Sequence, residues 1–113
     1  MGVRTMGKLV YGMGAVEIGI DDRTLAHLSV VIVAKLRRGE SMLFSWRDDS
    51  SVGDGRSSVW LSPSIPLYFK YFGSRPPKLN RAWITALTMA ANGNQGLHVV
   101  PEPPDSGGAG EDG

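Results

Sequence analysis

The order of apolar patterns along this 113-residue chain predicts an α+β domain in two layers, with two amphipathic helices packed on one face of a largely antiparallel sheet. Three observations carry that expectation. Two stretches free of Gly and Pro begin at a capping residue, end at a glycine and hold their apolar residues at helical spacing. Six short runs around them alternate with period two or are rich in β-branched and aromatic residues. Read in sequence, the elements run β-β-α-β-β-β-α-β, the order of a small two-layer fold.

The first two strands are Lys8-Leu9-Val10-Tyr11 and Ala15-Val16-Glu17-Ile18-Gly19-Ile20, joined by Gly12-Met13-Gly14. Val16, Ile18 and Ile20 alternate with polar or small residues, so one face is destined for the core. The Gly-x-Gly pair lacks the third glycine and the following helix of a dinucleotide-binding turn, which excludes that motif. Asp21 is a good N-cap, and Ile20 can staple onto Leu25. From Asp22 to Arg38 the spacing of Leu25, Leu28, Ile32 and Leu36 predicts a helix that Gly39 ends. The β-branched run Val30–Val33 argues for strand, but uninterrupted length and two end signals outweigh it.

Ser41–Arg47 reads as a strand with Met42, Phe44 and Trp46 on one side, and Ser57–Leu61 as its hairpin partner across a loop containing Asp48, Asp49 and Asp54. Ser62-Pro63-Ser64-Ile65-Pro66 interrupts the pairing, which Leu67–Phe72 resumes. There Leu67, Phe69 and Tyr71 face one way and Tyr68, Lys70 and Phe72 the other. After the stiff Gly73–Lys78 loop, Asn80 caps a second helix, with Leu79 placed to staple onto Ile84. Trp83, Ile84, Leu87, Ala90 and Ala91 share its apolar face, and Gly93 stops it. Leu97–Val100 is the last strand. Residues 1–5 read as an extension, 6–100 as one domain, and 101–113, rich in Pro, Gly and acid, as a disordered tail.

Composition narrows the function classes. The absence of cysteine excludes disulfides, thiolate metal sites and cysteine nucleophiles. The longest apolar run, Val30–Ala34, is too short to span a bilayer, and no leader pattern opens the chain. A cytoplasmic protein without membrane contact is expected. Residues 1–101 hold all 12 bases against seven acids, whereas Glu102, Asp105, Glu111 and Asp112 make the tail acidic. No acid lies between Gly55 and Pro101, a stretch with five bases, which points to an anionic partner.

Several motifs together resemble a small actinobacterial family of uncharacterised proteins. They are Met6-Gly7-Lys8-Leu9-Val10-Tyr11-Gly12, Asp21–Leu28, Lys35–Ser41, Gly55–Trp60, Pro63–Leu67, Gly73–Pro77 and Leu79–Ile84. The resemblance spans about residues 6–104 and implies that Met6 is the usual start. Members often carry the label ATP-dependent DNA ligase. Such a ligase needs a lysine in Lys-x-Asp-Gly to accept AMP. Here Asp54-Gly55 has Val52 in the lysine's place, so no adenylation site of that kind is present.

Candidate sites follow from charge and aromatic placement. Arg37, Arg38, Arg56, Lys70, Arg75, Lys78 and Arg81, with Tyr68 and Phe72, could bind DNA or RNA, the cations meeting phosphates and the rings stacking on bases. Lys35, Arg37 and Arg38 also sit where cations stabilise a helix C-terminus. Tyr68 and Phe72 could equally be covered by a helix or by a second copy of the chain. The Asp48/Asp49/Asp54 loop lacks the spacing of a calcium loop and reads as turn chemistry, so no metal or other cofactor is assigned. His27 and His98 read as hydrogen-bonded structural residues, and Trp46 and Trp83 as core. No catalytic residue emerges, which leaves a binding or accessory module associated with nucleic acid, or a protein-interaction domain.

Overall fold

β1 (Met6–Tyr11) and β2 (Val16–Asp21) form an antiparallel hairpin, Leu9 opposite Ile18 and Gly7 opposite Ile20. Alternation sends Leu9, Ile18 and Ile20 to the core and leaves Lys8, Glu17 and Gly19 on the other face. The computed structural model describes residues 6–47, 53 and 55–105. Asp21 ends β2 and caps α1 (Asp22–Arg37), its carboxylate accepting from the Thr24 N–H.

The helical reading of Val30–Val33 holds because only half of that run is buried. Val31 and Ile32 enter the core with Leu25 and Leu28, while Val30 and Val33 face outward. At the other end the Glu40 N–H reaches the Lys35 carbonyl and the Gly39 N–H the Leu36 carbonyl. This is the double closure of a Schellman turn, and it needs the left-handed φ of +77° that Gly39 supplies.

β3 (Met42–Arg47) and β4 (Arg56–Leu61) pair antiparallel, Phe44 facing Val59. β5 (Leu67–Lys70) follows, then α2 (Arg81–Ala91), capped by the Asn80 side chain on the Trp83 N–H, and β6 (Leu97–His98). The α+β class and the element order match the sequence reading, and the strands divide into two three-stranded sheets instead of one. Sheet one has the order β2-β1-β5 and sheet two β4-β3-β6. Pairing does not resume between β4 and β5, because Pro63 and Pro66 cannot donate to a ladder and the Ile65 N–H turns back to the Ser62 carbonyl. The Pro66 carbonyl instead accepts the Gly12 N–H and starts the β1·β5 ladder. β6 runs parallel to β3, Leu97 beside Phe44, because α2 carries the chain back across the core before β6 begins.

The core lies between the sheets. α1 packs on β1 and β2, and α2 packs on α1, β3 and β6, so the helix pair fills the space that a continuous sheet would close. Phe44, Leu61, Leu87 and Leu97 join Leu9, Leu25, Leu28 and Ile32 with no solvent exposure. Each such side chain contributes about 1.5–3 kcal/mol. The expected faces of β5 are observed: Leu67 and Phe69 rest against the core, and Tyr68 and Lys70 point away from it.

Gly7 sets how closely α1 approaches sheet one. A Cβ there would lie 2.3 Å from the Lys70 carbonyl oxygen and 2.8 Å from the Asp22 carboxylate. Asp22 uses that closeness to accept from the Phe72 and Gly73 N–H groups at 3.0 and 2.8 Å, fixing the chain as it leaves β5.

Candidate nucleic-acid interface

β5 is an edge strand, and its outward residues are the aromatic and basic ones. Tyr68 is 58% exposed, Lys70 is exposed, and Phe72, just past the strand end, is 78% exposed. Successive outward side chains in such a row stand about 6.6–6.8 Å apart. The register places Lys8 opposite Lys70 and Val10 opposite Tyr68 on the same face. Lys8 is paired with Glu17 at 3.2 Å, an exposed contact, while Lys70 makes no ion pair among the described residues. The Asp22 bonds to the following backbone hold Phe72 and Gly73 in place, so the aromatic at the end of the row sits on a fixed chain.

The remaining predicted residues divide into groups. Arg75 and Lys78 lie on the loop that continues from Phe72, and Arg81 is the exposed first residue of α2. Arg75 lines an open cleft of about 880 Å³ together with Asp22, Arg23, Trp83 and Glu102. Arg37 and Arg38 sit at the opposite end of α1, a 16-residue helix that is about 24 Å long. There Glu40 pairs with Lys35 at 2.8 Å and with Arg38 at 3.4 Å. The neighbouring cations hold the Glu40 carboxyl below its usual value, Lys35 through a hydrogen bond foremost. Arg56 is on sheet two, opposite Arg47. Tyr68, Lys70, Phe72, Arg75, Lys78 and Arg81 thus follow one another in sequence along β5, the loop after it and the start of α2, whereas Arg37, Arg38 and Arg56 come from other elements.

Beside this path is a polar clasp that local sequence patterns did not mark. Arg23 donates through Nε and Nη2 to the two carboxylate oxygens of Glu102 at 2.9 and 2.6 Å, and through Nη1 to the Lys78 carbonyl. Asn80, 1% exposed, donates its side-chain amide to Glu102 and to the Pro103 carbonyl, both at 2.8 Å. These donors, Arg23 first and Asn80 second, lower the Glu102 carboxyl to about 2. Trp83 Nε1 donates to the Val100 carbonyl at 2.9 Å. The anchored segment therefore extends past Val100, where sequence alone ends the body. Arg23 and Glu102 are 79 residues apart, so no spacing rule joins them; a single acid following an acid-free stretch was the available signal.

His27 is part of the same assembly. It is fully buried, and its Nδ1 donates to the Arg23 carbonyl at 2.7 Å while Nε2 accepts the Asn80 N–H at 2.8 Å. That pattern assigns the neutral ring with the proton on Nδ1. Trp83 packs on the ring at 4.5 Å. His98 is exposed, with a single long contact from Nδ1 to the Gly96 carbonyl at 3.4 Å. Trp83 is core, Trp46 partly buried beside Phe44, and Trp60 57% exposed.

Asp48, Asp49, Val52 and Asp54 lie outside the described residues, as do residues 1–5 and 106–113. Among the described residues no group of three or more His, Asp or Glu is placed to hold a metal ion, and no helix is long and apolar enough to cross a membrane. No curated protein and no solved structure matches the chain. A family model does, over residues 6–102, a span that begins at β1 and ends on the Glu102 of the clasp. The chain belongs to that family, described as Domain of unknown function (DUF7882).

Proposed function

We propose that this domain is a non-catalytic binding module that engages nucleic acid along the outer side of β5 and the loop after it. The observation that carries the reading is Tyr68 and Lys70 on the exposed face of β5 with exposed Phe72 just past its end, followed in the chain by Arg75 and Lys78. Cations track a phosphate backbone, and rings spaced along a strand accept successive unpaired bases. Arg81 extends the path, whereas Arg37, Arg38 and Arg56 are left out of it. The cysteine-free composition suits a reducing cytoplasm, and the ligase label of similar sequences suggests an accessory role at DNA ends.

The experiment is a titration of labelled single- and double-stranded DNA at several salt concentrations. Binding is expected at low salt, weakening as salt rises, with preference for the single strand. Tyr68→Ala and Phe72→Ala are each expected to cost about 1–3 kcal/mol of single-strand affinity. Lys70→Gln reduces the salt slope by about one. No binding at low salt, or affinity indifferent to salt, would sink the reading.

A second reading uses the same face for self-association, because β5 leaves one ladder edge open beside two exposed rings. Light scattering that reports a monomer, unchanged by Tyr68→Ala, rules that version out.

A further inference from the structure

Arg47 closes β3, Arg56 opens β4, and the register sets the two directly opposite each other. Both are exposed. The next row on that face is Ser45 opposite Ser58, their hydroxyl oxygens 2.7 Å apart. Parallel pairing adds His98 beside Ser45. Leu43 and Trp60 form the third row. The opposite face of these strands carries Phe44, Val59 and Leu97 to the core, so the Arg–Ser–His face is turned away from it.

Like charges set directly across a ladder oppose its formation. The three strands contain no acid that would offset them. Among the described residues the ion pairs are made by Lys8, Arg23, Lys35 and Arg38, and neither Arg47 nor Arg56 takes part in one. Arg47, Arg56, Ser45, Ser58 and His98 also line an open cleft that reaches Phe44 and Trp46 and includes Asp21, whose carboxylate accepts from the Thr24 N–H and hydroxyl. Among the described residues this face carries two guanidinium forks, two hydroxyls and an imidazole and no carboxylate, and Asp48, Asp49 and Asp54 of the β3–β4 connection lie outside them.

We propose that this face of sheet two binds a phosphoryl anion between Arg47 and Arg56, with the Ser45/Ser58 hydroxyls and His98 along one side. Directly opposed Cβ atoms stand about 4.5–5.5 Å apart, and consecutive rows about 6.6–6.8 Å. One tetrahedral oxyanion is therefore within reach of both guanidiniums and the hydroxyl row. The planar fork of arginine suits such an ion better than the point charge of lysine. Trp60 lies two rows beyond the arginines, about 13 Å along the strand, on the side where the remainder of a phosphate ester would extend. The site is separate from the β5 path, so its variants and its probe can fail without affecting the nucleic-acid reading.

The test is thermal unfolding of the whole chain with increasing sodium phosphate, against sodium chloride matched in ionic strength. Phosphate is expected to raise the melting temperature saturably, and chloride not. The double variant Arg47→Gln/Arg56→Gln should lose the phosphate response and, with the like-charge opposition gone, melt no lower than wild type without phosphate. A chloride response equal to that of phosphate, or a retained response in the double variant, overturns the proposal. Backbone and indole NMR shifts of the wild-type protein give an independent reading: saturable changes at Ser45, Arg47, Arg56 and Ser58 support it, and changes confined elsewhere overturn it. A nucleoside monophosphate arm separates the sources. Tighter binding than inorganic phosphate with quenching at Trp60 identifies an ester, and equal binding identifies the free ion.

Discussion

A missing side chain decides how sheet one meets the first helix. Gly7 faces the core side of β1, and the space a methyl would need is taken by the Lys70 carbonyl and the Asp22 carboxylate. Both are fixed, the first by the β1·β5 ladder and the second by its bonds to Phe72 and Gly73. Gly7→Ala must therefore move a strand or detach the N-terminus of α1. A loss of about 1–3 kcal/mol is expected, the usual cost of overpacking a filled site, measured as a lower urea midpoint. An unchanged midpoint would show that α1 can shift at little cost. Caps and faces at this scale were legible in sequence, since Asp21, Asn80 and Gly39 act through neighbours three or four positions away. The need for Gly7 was not, because the atoms it makes room for come from positions 22 and 70.

Elements meet most closely at the clasp, where the C-terminal segment ties α1 to the start of α2. Arg23 comes from the first turn of α1, Asn80 caps α2, and Glu102 receives hydrogen bonds from both. The ordinary carboxyl value of 4.5 is lowered to about 2 in the folded chain. A lowered folded value means that the unfolded chain takes up the proton first. The clasp's contribution is therefore complete above about 4.5 and is lost as pH falls toward about 2. Unfolding free energy measured across that window should fall less steeply for Glu102→Gln than for wild type. Coincident slopes would mean that Glu102 pairs equally well in the unfolded chain. Sequence pattern gave the helices on either side of this junction, since each has a period. The link between them has none, joining a helix to a Pro-rich segment across most of the chain, and the same holds for the division into two sheets. Long-range pairing depends on where loops deliver the strands, which β-propensity does not encode.

Charge is laid out over the whole molecule in a way that separates body from tail. The body carries all 12 bases, and the chain beyond Asp105 adds Glu111 and Asp112 without a base. The clasp makes the place of truncation matter. Removal of everything after Pro101 would also delete Glu102 and Pro103, leaving Arg23 Nε and Nη2 and the Asn80 side-chain amide without the acceptors they use here. A stop after Asp105 keeps the clasp and removes only the final two acids. If those acids compete with nucleic acid for the Lys70–Arg75–Lys78 path, the shortened chain should bind DNA severalfold more tightly at low salt. The difference should vanish as the Debye length shrinks from about 30 Å at 0.01 M to about 8 Å at 0.15 M. Unfolding midpoints of the two chains should agree, which separates this effect from loss of the clasp. Equal affinities at low salt would assign the tail's charge to solubility, and a gain that persists at high salt would point to steric cover in place of charge.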